Sequence, residues 1–183
     1  MANYPEIQMK LRQEIASQIG DRIPVQDDKN NCHYVNAFIN EVLRFKNVAP
    51  MGVFHRMVAN SQIGGHQIGK DCIVLVHQYA ILTDPKHWSQ PEVFKPERFL
   101  DSNGKLSANK NAAFIPFGIG RRSCPGENLA MAELFLSIVR ILQQTDGHQF
   151  VLPHGEQSAD LSPKPDDIPI LFLPRNYQVI LKK

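Results

Sequence analysis

The sequence predicts a mixed α+β fold that is mainly α, with small β-sheets. Three stretches of the 183-residue chain repeat apolar residues with helical spacing, and short β-prone runs lie between the second and third stretches. The composition, 43% hydrophobic and 21% charged, is that of an ordinary globular protein. Because a chain of this length can bury one core, we expect a single domain over residues 1–183 and no second domain.

The first two helices are predicted by apolar periodicity. Residues 5–19 carry an isoleucine or leucine at every fourth position, Pro5 suits the first turn of a helix, and Gly20 supplies an end. Residues 35–43 repeat apolar side chains with i, i+3, i+4 and i+7 spacing. The second helix is therefore expected to be buried along one face.

Beyond Pro50 the pattern changes to short β-prone runs. Residues 53–58 and 72–76 form two such runs, and glycine-containing turns at 64–65 and 69–71 separate them. These runs predict the strands of a small sheet. Residues 83–113 are rich in Pro, Asp, Asn and Lys and show little periodicity, so we expect mostly turns and coil there.

A third helix and a terminal hairpin are predicted in the last third of the chain. Apolar residues between positions 129 and 142 cover most of a helix circumference, which predicts deep burial of a helix that begins just after Cys124. β-prone runs at 168–173 and 177–181 flank a Pro-Arg-Asn turn. This pattern is typical of a hairpin.

Charge and cysteine content exclude several classes of protein. The net charge of +2 is too small to indicate a dedicated nucleic-acid binder. Cys32, Cys72 and Cys124 are an odd number without CxxC spacing, so neither a disulfide framework nor a structural zinc site is predicted. This cysteine pattern fits a reducing, intracellular environment better than an oxidising one. No apolar run is long enough to span a bilayer, and residues 1–10 do not resemble a signal peptide.

The segment 117–126 contains the cysteine that is the strongest candidate for a metal-binding residue. Its glycines allow the backbone to pass close to a flat group, and Cys124 stands where a loop meets a helix. A helix amino terminus and the cations Arg121 and Arg122 favour thiolate over thiol, and thiolate is the form that binds iron. The alternative is an inert buried cysteine in a glycine-rich turn.

The same segment resembles a known family signature. The pattern F-x-x-G-x-R-x-C-x-G is satisfied by Phe117, Gly120, Arg122, Cys124 and Gly126, and is similar to the haem-binding signature of the cytochrome P450 monooxygenases. The resemblance covers essentially the whole chain and looks most like the microsomal, drug- and steroid-metabolising branch. It implies the carboxy-terminal, haem-binding part of the cytochrome P450 fold.

Two further motifs occur in the order that this family shows. Glu41-x-x-Arg44 lies on the second predicted helix, and Pro96-Glu97-Arg98-Phe99 lies in the coil before the cysteine. By the resemblance, Glu41, Arg44 and Arg98 form a buried charge triad that fastens the helix to the coil. Their expected role is structural, whereas an ordinary ion pair with this spacing would be a solvated surface pair.

The resemblance also implies the cofactor and its contacts. Cys124 is expected to bind the iron of haem b, Arg122 and His55 to face propionates, and Phe117 to pack on the thiolate side of the porphyrin. A strand histidine satisfied by backbone or water is the alternative for His55. The full set of expected haem contacts is Phe117, Gly118, Arg122, Cys124, Gly126, Ala130 and His55.

A lipophilic substrate is the expected ligand of the neighbouring pocket. Val48, Ala49 and Val53 belong to an apolar stretch that corresponds to the pocket border in the resembling family. Ile170, followed by Leu171, is expected to line the same cavity, although any terminal strand would also carry apolar residues.

The remaining expectations concern partners and location. Lys105, Lys110, Arg121 and Arg122 occur without an acidic residue among them, so an acidic electron donor such as an NADPH-dependent flavoprotein reductase is expected to dock there. A solvated charge run is the alternative. The resemblance implies the cytosolic face of the endoplasmic reticulum membrane for the full-length protein, with membrane association through an amino-terminal segment that this chain lacks.

Three functions remain open from the sequence. The first is insertion of one oxygen atom of dioxygen into a lipophilic substrate by the longer protein. The second is a haem-thiolate isomerase that rearranges peroxides, and the third is a truncated, non-catalytic product. The family's distal helix with its acid-alcohol pair is expected to precede Met1.

Overall fold

The computed structural model describes residues 1–109, 111–153 and 178–183, and its helices and small antiparallel sheets confirm the predicted fold class. The α-helices are α1 (Pro5–Gln18), α2 (His33–Phe45), α3 (Gln78–Leu82) and α4 (Glu127–Gln144). Short 3-10 helices lie at Gln26–Asn30, Pro96–Phe99 and Gly120–Arg122. The strands are β1 (His55–Arg56), β2 (Ser61–Ile63), β3 (His66–Ile68), β4 (Ile73–Val74), β5 (Gln149–Val151) and β6 (Ile180–Lys182).

The main core lies where α1, α2 and α4 meet. Burying these side chains provides the dominant force for packing the three helices together. Its buried members are Ile7, Leu11, Ile15, Ile19, Cys32, Tyr34, Val35, Phe38, Ile39, Phe135, Val139 and Leu142. A smaller cluster joins Ala37 of α2 to Leu82, Trp88, Phe99 and Ala113. The coil of residues 83–113 is therefore packed against α2.

Only one face of α4 is buried. Phe135, Val139 and Leu142 pack into the main core, whereas Leu129 is 65% exposed and Ile141 is 44% exposed. The prediction that α4 is deeply buried is wrong within the described residues, because α1 and α2 cover only one side of the helix. The apolar composition of the other side carries no information about which element covers it.

Side chains of α1 satisfy the free ends of both other long helices. The carboxylate of Glu14 accepts hydrogen bonds from the backbone N–H groups of Tyr34 and Val35, each over 2.8 Å, at the amino terminus of α2. The guanidinium of Arg12 donates to the carbonyls of Leu142 (2.5 Å) and His148 (2.8 Å), near the carboxy terminus of α4. Both contacts satisfy helix-end groups that have no intrahelical partner.

Within the described residues, the short strands pair as three antiparallel two-stranded sheets. β1 pairs with β4, so that His55 lies opposite Val74, and β2 pairs with β3 across a two-glycine turn. The predicted β-prone runs thus form shorter strands than expected. β5 pairs with β6, with Phe150 opposite Leu181.

The pairing of β5 with β6 was not predicted. The sequence predicts a hairpin between runs 168–173 and 177–181, and the first run lies outside the described residues. The amide of Gln8 explains the position of β5, because it donates to the carbonyl of Phe150 (3.0 Å) and accepts from its N–H (2.8 Å). None of the helices in the described part of the chain has the length and hydropathy needed to cross a membrane.

Candidate functional site

Cys124 lies in a tight loop just before α4. Its backbone N–H donates to the carbonyl of Phe117 over 2.9 Å, and the N–H of Ser123 donates to the carbonyl of Gly120 over 3.1 Å. Gly120 has a φ of 71°, a left-handed conformation that glycine adopts without strain. The loop therefore folds back on itself and presents the cysteine beside the amino terminus of α4, which begins at Glu127.

The three cysteines differ in accessibility. Cys32 is buried, whereas Cys72 and Cys124 are exposed. Burial, followed by the nearby carboxylate of Glu14, raises the pKa of the Cys32 thiol to about 12. A Cβ atom at Gly126 would lie 3.8 Å from the sulfur of Cys124, so glycine keeps that side of the sulfur open. The alternative of an inert buried cysteine at position 124 does not fit its exposure.

The two arginines before the cysteine are both exposed. Arg121 and Arg122 belong to the 3-10 helix Gly120–Arg122, and no hydrogen bond or ion pair joins either of them to another described residue. Guanidinium groups in this situation are available to bind an anion such as a carboxylate. Of the other two predicted basic residues, Lys105 is exposed and Lys110 lies outside the described part of the chain.

An apolar cavity of about 490 Å³ lies between α2 and α4. Val48, Phe117 and Ala130 all line it, so the structure brings together two predicted haem contacts and one predicted substrate contact. The other lining residues are Ile39, Val42, Leu43, Lys46, Glu133, Leu134, Ser137 and Ile138. Phe117 and Gly118 also line a more polar cavity of about 420 Å³, so Phe117 forms part of the wall of both cavities.

The other predicted contacts do not line the apolar cavity. These residues are His55, Ala49, Val53, Gly118, Arg122, Cys124 and Gly126. His55 is half-buried in β1, Ala49 is half-buried, and Val53 is 60% exposed. Ile170, with Leu171, lies outside the described residues. Of the predicted contacts, the structure therefore places Val48, Phe117 and Ala130 on the cavity wall and the other described ones outside it.

Glu41, Arg44 and Arg98 form one buried ionic network. The side chains of Glu41 and Arg44 are 0% exposed and that of Arg98 is 9% exposed. The carboxylate of Glu41 accepts from Nε of Arg44 over 2.7 Å and from Nε of Arg98 over 3.1 Å. It also accepts from the backbone N–H of Lys95 over 2.8 Å. Because both side chains are buried, Glu41 and Arg44 are not the solvated surface pair that is the alternative for this spacing.

Backbone carbonyl groups of the coil accept the other hydrogen bonds of the two guanidinium groups. Arg44 donates to the carbonyls of Leu82 and Pro91, each over 3.0 Å. Arg98 donates to the carbonyls of Ser89 (2.8 Å), Gln90 (3.1 Å) and Val93 (2.9 Å). Because the coil supplies carbonyls and α2 supplies the carboxylate, the network ties residues 82–98 to α2.

Two buried carboxamides beside the cysteine loop were not predicted. Asn47 donates to the carbonyl of Pro116 over 3.5 Å, and the side chain of Gln78 approaches Gly118. The side-chain oxygens of Asn47 and Gln78 are buried and accept no hydrogen bond from any described residue. No sequence signal marks them, because each is a single polar residue beside a helix end.

The loop thus presents an exposed cysteine before a helix, two arginines without a partner among the described residues, and Phe117, which lines an apolar cavity. The family model described as Cytochrome P450 matches residues 1–181. The chain belongs to the cytochrome P450 family, whose cofactor is a haem iron.

Curated relatives agree with this assignment. The chain is 38% identical over its whole length to a steroid 17-alpha-hydroxylase/17,20 lyase of Squalus acanthias, covering 35% of that protein. Over 90% of its length it is 37% identical to a trans-cinnamate 4-monooxygenase of Zinnia elegans and 39% identical to cytochrome P450 2A9 of Mesocricetus auratus, covering 32% and 33% of those proteins. The chain spans about a third of the length of these relatives.

Proposed function

We propose that this chain is the haem-binding, carboxy-terminal part of a single cytochrome P450 domain, and that the longer protein is a haem-thiolate monooxygenase. The reaction is insertion of one atom of dioxygen into a lipophilic substrate, with reduction of the other atom to water. The single observation that carries the proposal is the exposed Cys124, which lies at the start of α4 within the complete signature loop.

The residues present fit a haem. The proposed cofactor is haem b, whose iron the thiolate of Cys124 would bind. Glycine at position 126 leaves one side of the sulfur open, and Gly120 has open space where a Cβ would lie. When bound, the haem iron supplies the oxygen-activating chemistry, which thiolate donation favours.

The chain's own side chains have separate tasks in this proposal. Arg122 is exposed and free to pair with a propionate, and His55 in β1 is the second proposed propionate partner. Phe117 and Ala130 contribute apolar surface against which the porphyrin would pack, and the bound porphyrin would shield the sulfur from water. Glu41, through its network with Arg44 and Arg98, holds the coil before the loop in place.

The proposed substrate and electron donor are inferred from the apolar cavity and from the exposed arginines of the cysteine loop. Val48 lines the apolar cavity beside Phe117, and we propose that Val48, Ala49, Val53 and Ile170 contact a lipophilic substrate. Arg121 and Arg122 provide exposed positive charge on the loop, which suits an acidic, NADPH-dependent flavoprotein reductase as the electron donor. We also propose that the longer protein lies at the endoplasmic reticulum membrane, a proposal that its similarity to cytochrome P450 2A9 supports.

A spectroscopic experiment tests the proposal. The 183-residue chain is mixed with haem, reduced, and exposed to carbon monoxide, and the difference spectrum reports whether sulfur is bound as thiolate. Cys124→Ser is expected to lose the thiolate spectrum, and Cys72→Ser, which changes the other exposed cysteine, is expected to keep it. A thiolate spectrum that survives in Cys124→Ser would contradict the assignment of the ligand.

A second experiment tests the proposed reaction in a longer protein. In a chimera, the 183 residues replace the matching third of cytochrome P450 2A9 of Mesocricetus auratus. Substrate-dependent consumption of NADPH with a reductase then tests oxygen insertion by the whole domain. A chimera with full thiolate-ligated haem and no oxygenated product would contradict the monooxygenase proposal.

A further inference from the structure

The polar cavity of about 420 Å³ lies between the start of α2, the start of α4 and the chain that leads into the cysteine loop. Its volume is in the range of about 300–1,000 Å³ that small-molecule sites occupy. Of the described residues, only Phe117 lines both this cavity and the apolar one, and Cys124 lines neither. The polar cavity is therefore a candidate site for a ligand other than haem.

One buried side chain of the polar cavity lacks a hydrogen-bond partner. Asn40 of α2 lines the cavity and is 8% exposed, and its carboxamide forms no hydrogen bond within the described part of the chain. Asn36, one turn earlier, differs in this respect, because its Nδ2 donates to the carbonyls of Lys29 and Cys32, each over 2.7 Å. Buried carboxamides are normally paired, so a partner for Asn40 is expected to come from the space that it lines.

The same wall of the cavity carries positive charge. Lys29 of the 3-10 helix Gln26–Asn30 is half-buried and lines the cavity, and its ammonium group forms no ion pair or hydrogen bond with a described residue. His33, Asn36 and Asn40 follow at i, i+3 and i+7 and so lie on one face of α2. This wall thus presents a cation and a free carboxamide to one space, which suits a carboxylate as the ligand group.

Another wall of the polar cavity is apolar. Leu106, Phe114, Ile115, Phe117 and Met131 contribute to it. Apolar ligand surface that is placed against these side chains is removed from water, which favours binding. The cavity therefore suits a molecule that has a polar end and an apolar body.

The start of α4 limits the charge that the ligand can carry. Glu127 is half-buried and lines the cavity, and its carboxylate has no partner among the described residues. Because like charges repel, a second negative charge on the ligand is disfavoured. A ligand with a single carboxylate can pair with Lys29 and leave its uncharged body towards α4.

We propose that the polar cavity binds a small monocarboxylate with a compact apolar body. Its carboxylate pairs with the ammonium of Lys29 and accepts a hydrogen bond from Nδ2 of Asn40, and its body packs on Phe114 and Ile115. The site goes beyond the proposed function, since neither Lys29 nor Asn40 belongs to the proposed haem or substrate contacts.

Isothermal titration calorimetry on the 183-residue chain tests the ligand class with three probes. 3-Phenylpropanoate, 3-phenylpropanamide and 2-phenylethylamine share a phenyl body and end in an anionic, a neutral and a cationic group. The carboxylate probe is expected to bind at least about tenfold more tightly than either of the others, because only it forms a charge-assisted contact with Lys29. Equal binding of the three probes, tighter binding of the amine, or no binding of the carboxylate would overturn the proposal.

Variants of the cavity wall locate the binding. Lys29→Gln is expected to bind 3-phenylpropanoate about tenfold more weakly and Asn40→Leu about three- to tenfold more weakly, since each loses one hydrogen bond to the carboxylate. Glu127→Gln is expected to bind it more tightly, because a repelling charge is removed. Lys86→Gln, at an exposed lysine away from the cavity, is the control and is expected to bind as wild type does.

Stability measurements separate a binding role of Asn40 from a structural one. Without ligand, Asn40→Leu is expected to be at least as stable to urea as wild type, because an unpaired buried amide is replaced by an apolar group. A less stable Asn40→Leu, or wild-type affinity in both Lys29→Gln and Asn40→Leu, would overturn the proposal.

The chimera with cytochrome P450 2A9 extends the test to a whole domain. Lys29→Gln is expected to weaken binding of 3-phenylpropanoate there by the same factor, and binding that does not depend on Lys29 would overturn the site. The calorimetric test on the 183-residue chain needs no haem, so its result is independent of the proposed function.

Discussion

Replacing Glu41 with alanine is expected to cause a large loss of stability, because its carboxylate is the centre of a fully buried ionic network. Glu41 accepts four hydrogen bonds, two from Arg44, one from Arg98 and one from the backbone of Lys95. Neither Glu41 nor Arg44 has any exposed side-chain surface. The substitution therefore leaves the guanidinium of Arg44 buried with no carboxylate opposite it.

The expected magnitude follows from this burial. Removing one partner of a buried ion pair costs about 3–5 kcal/mol, because the remaining charge stays out of water. A domain of this kind has a free energy of unfolding of about 5–15 kcal/mol, so the loss is a large fraction of the total. The coil of residues 82–98 leads to the cysteine loop, and we therefore also expect Glu41→Ala to abolish haem incorporation in the full-length protein.

Urea denaturation followed by circular dichroism measures the loss of stability. Arg56→Ala is the control, because Arg56 pairs with Asp71 over 2.7 Å while the two side chains are 68% and 53% exposed. An exposed pair of this kind contributes about 0–1 kcal/mol. If Glu41→Ala and Arg56→Ala lowered the free energy of unfolding equally, the argument from burial would be wrong. A purified full-length Glu41→Ala protein with normal haem content would refute the expected loss of haem incorporation.

Three other predictions concern α1 and the ionisable groups. Glu14→Gln, which keeps the shape but removes the charge that caps α2, is expected to lower the free energy of unfolding by about 1 kcal/mol in urea, and an unchanged midpoint would contradict the capping role. Iodoacetamide under native conditions is expected to label Cys72 and Cys124 and to spare Cys32 until the chain unfolds, as peptide mass spectrometry would show. Hydrogen bonds from the guanidinium of Arg22 and from a backbone N–H lower the pKa of Asp28. The contribution of Asp28 to the free energy of unfolding is therefore present above its unfolded pKa and is lost as pH falls through the lower folded value. Asp28→Asn should make the free energy of unfolding depend less on pH in this acid range.

The helices could be predicted because their signals are local. Apolar spacing, an early proline and a following glycine predict α1 over residues 5–19, and the observed helix is Pro5–Gln18. Strand lengths and partners could not be predicted equally well, since pairing depends on contacts between distant residues. β6 pairs with β5, about 30 residues earlier in the chain, and the hydrogen bonds of Gln8 to Phe150 span 142 positions.

The site was predictable where chemistry has a sequence signature and not where it depends on packing. The loop around Cys124 is marked by its glycines, arginines and cysteine within ten positions. Asn47 and Gln78 have no such mark, because their burial beside the loop results from packing between distant parts of the chain. The overestimated burial of α4 has the same origin, since an apolar side chain such as Leu129 does not specify what covers it.

The position of Cys124 depends on a helix that carries none of the predicted site residues. α1 caps the amino terminus of α2 through Glu14 and binds the carboxy terminus of α4 through Arg12, so it fixes the two helices relative to each other. α2 in turn holds the coil through Glu41, and α4 begins at the cysteine loop. Because the apolar cavity lies between α2 and α4, its width follows from the same contacts. A change in α1 is therefore expected to reach the proposed haem site through α2 and α4.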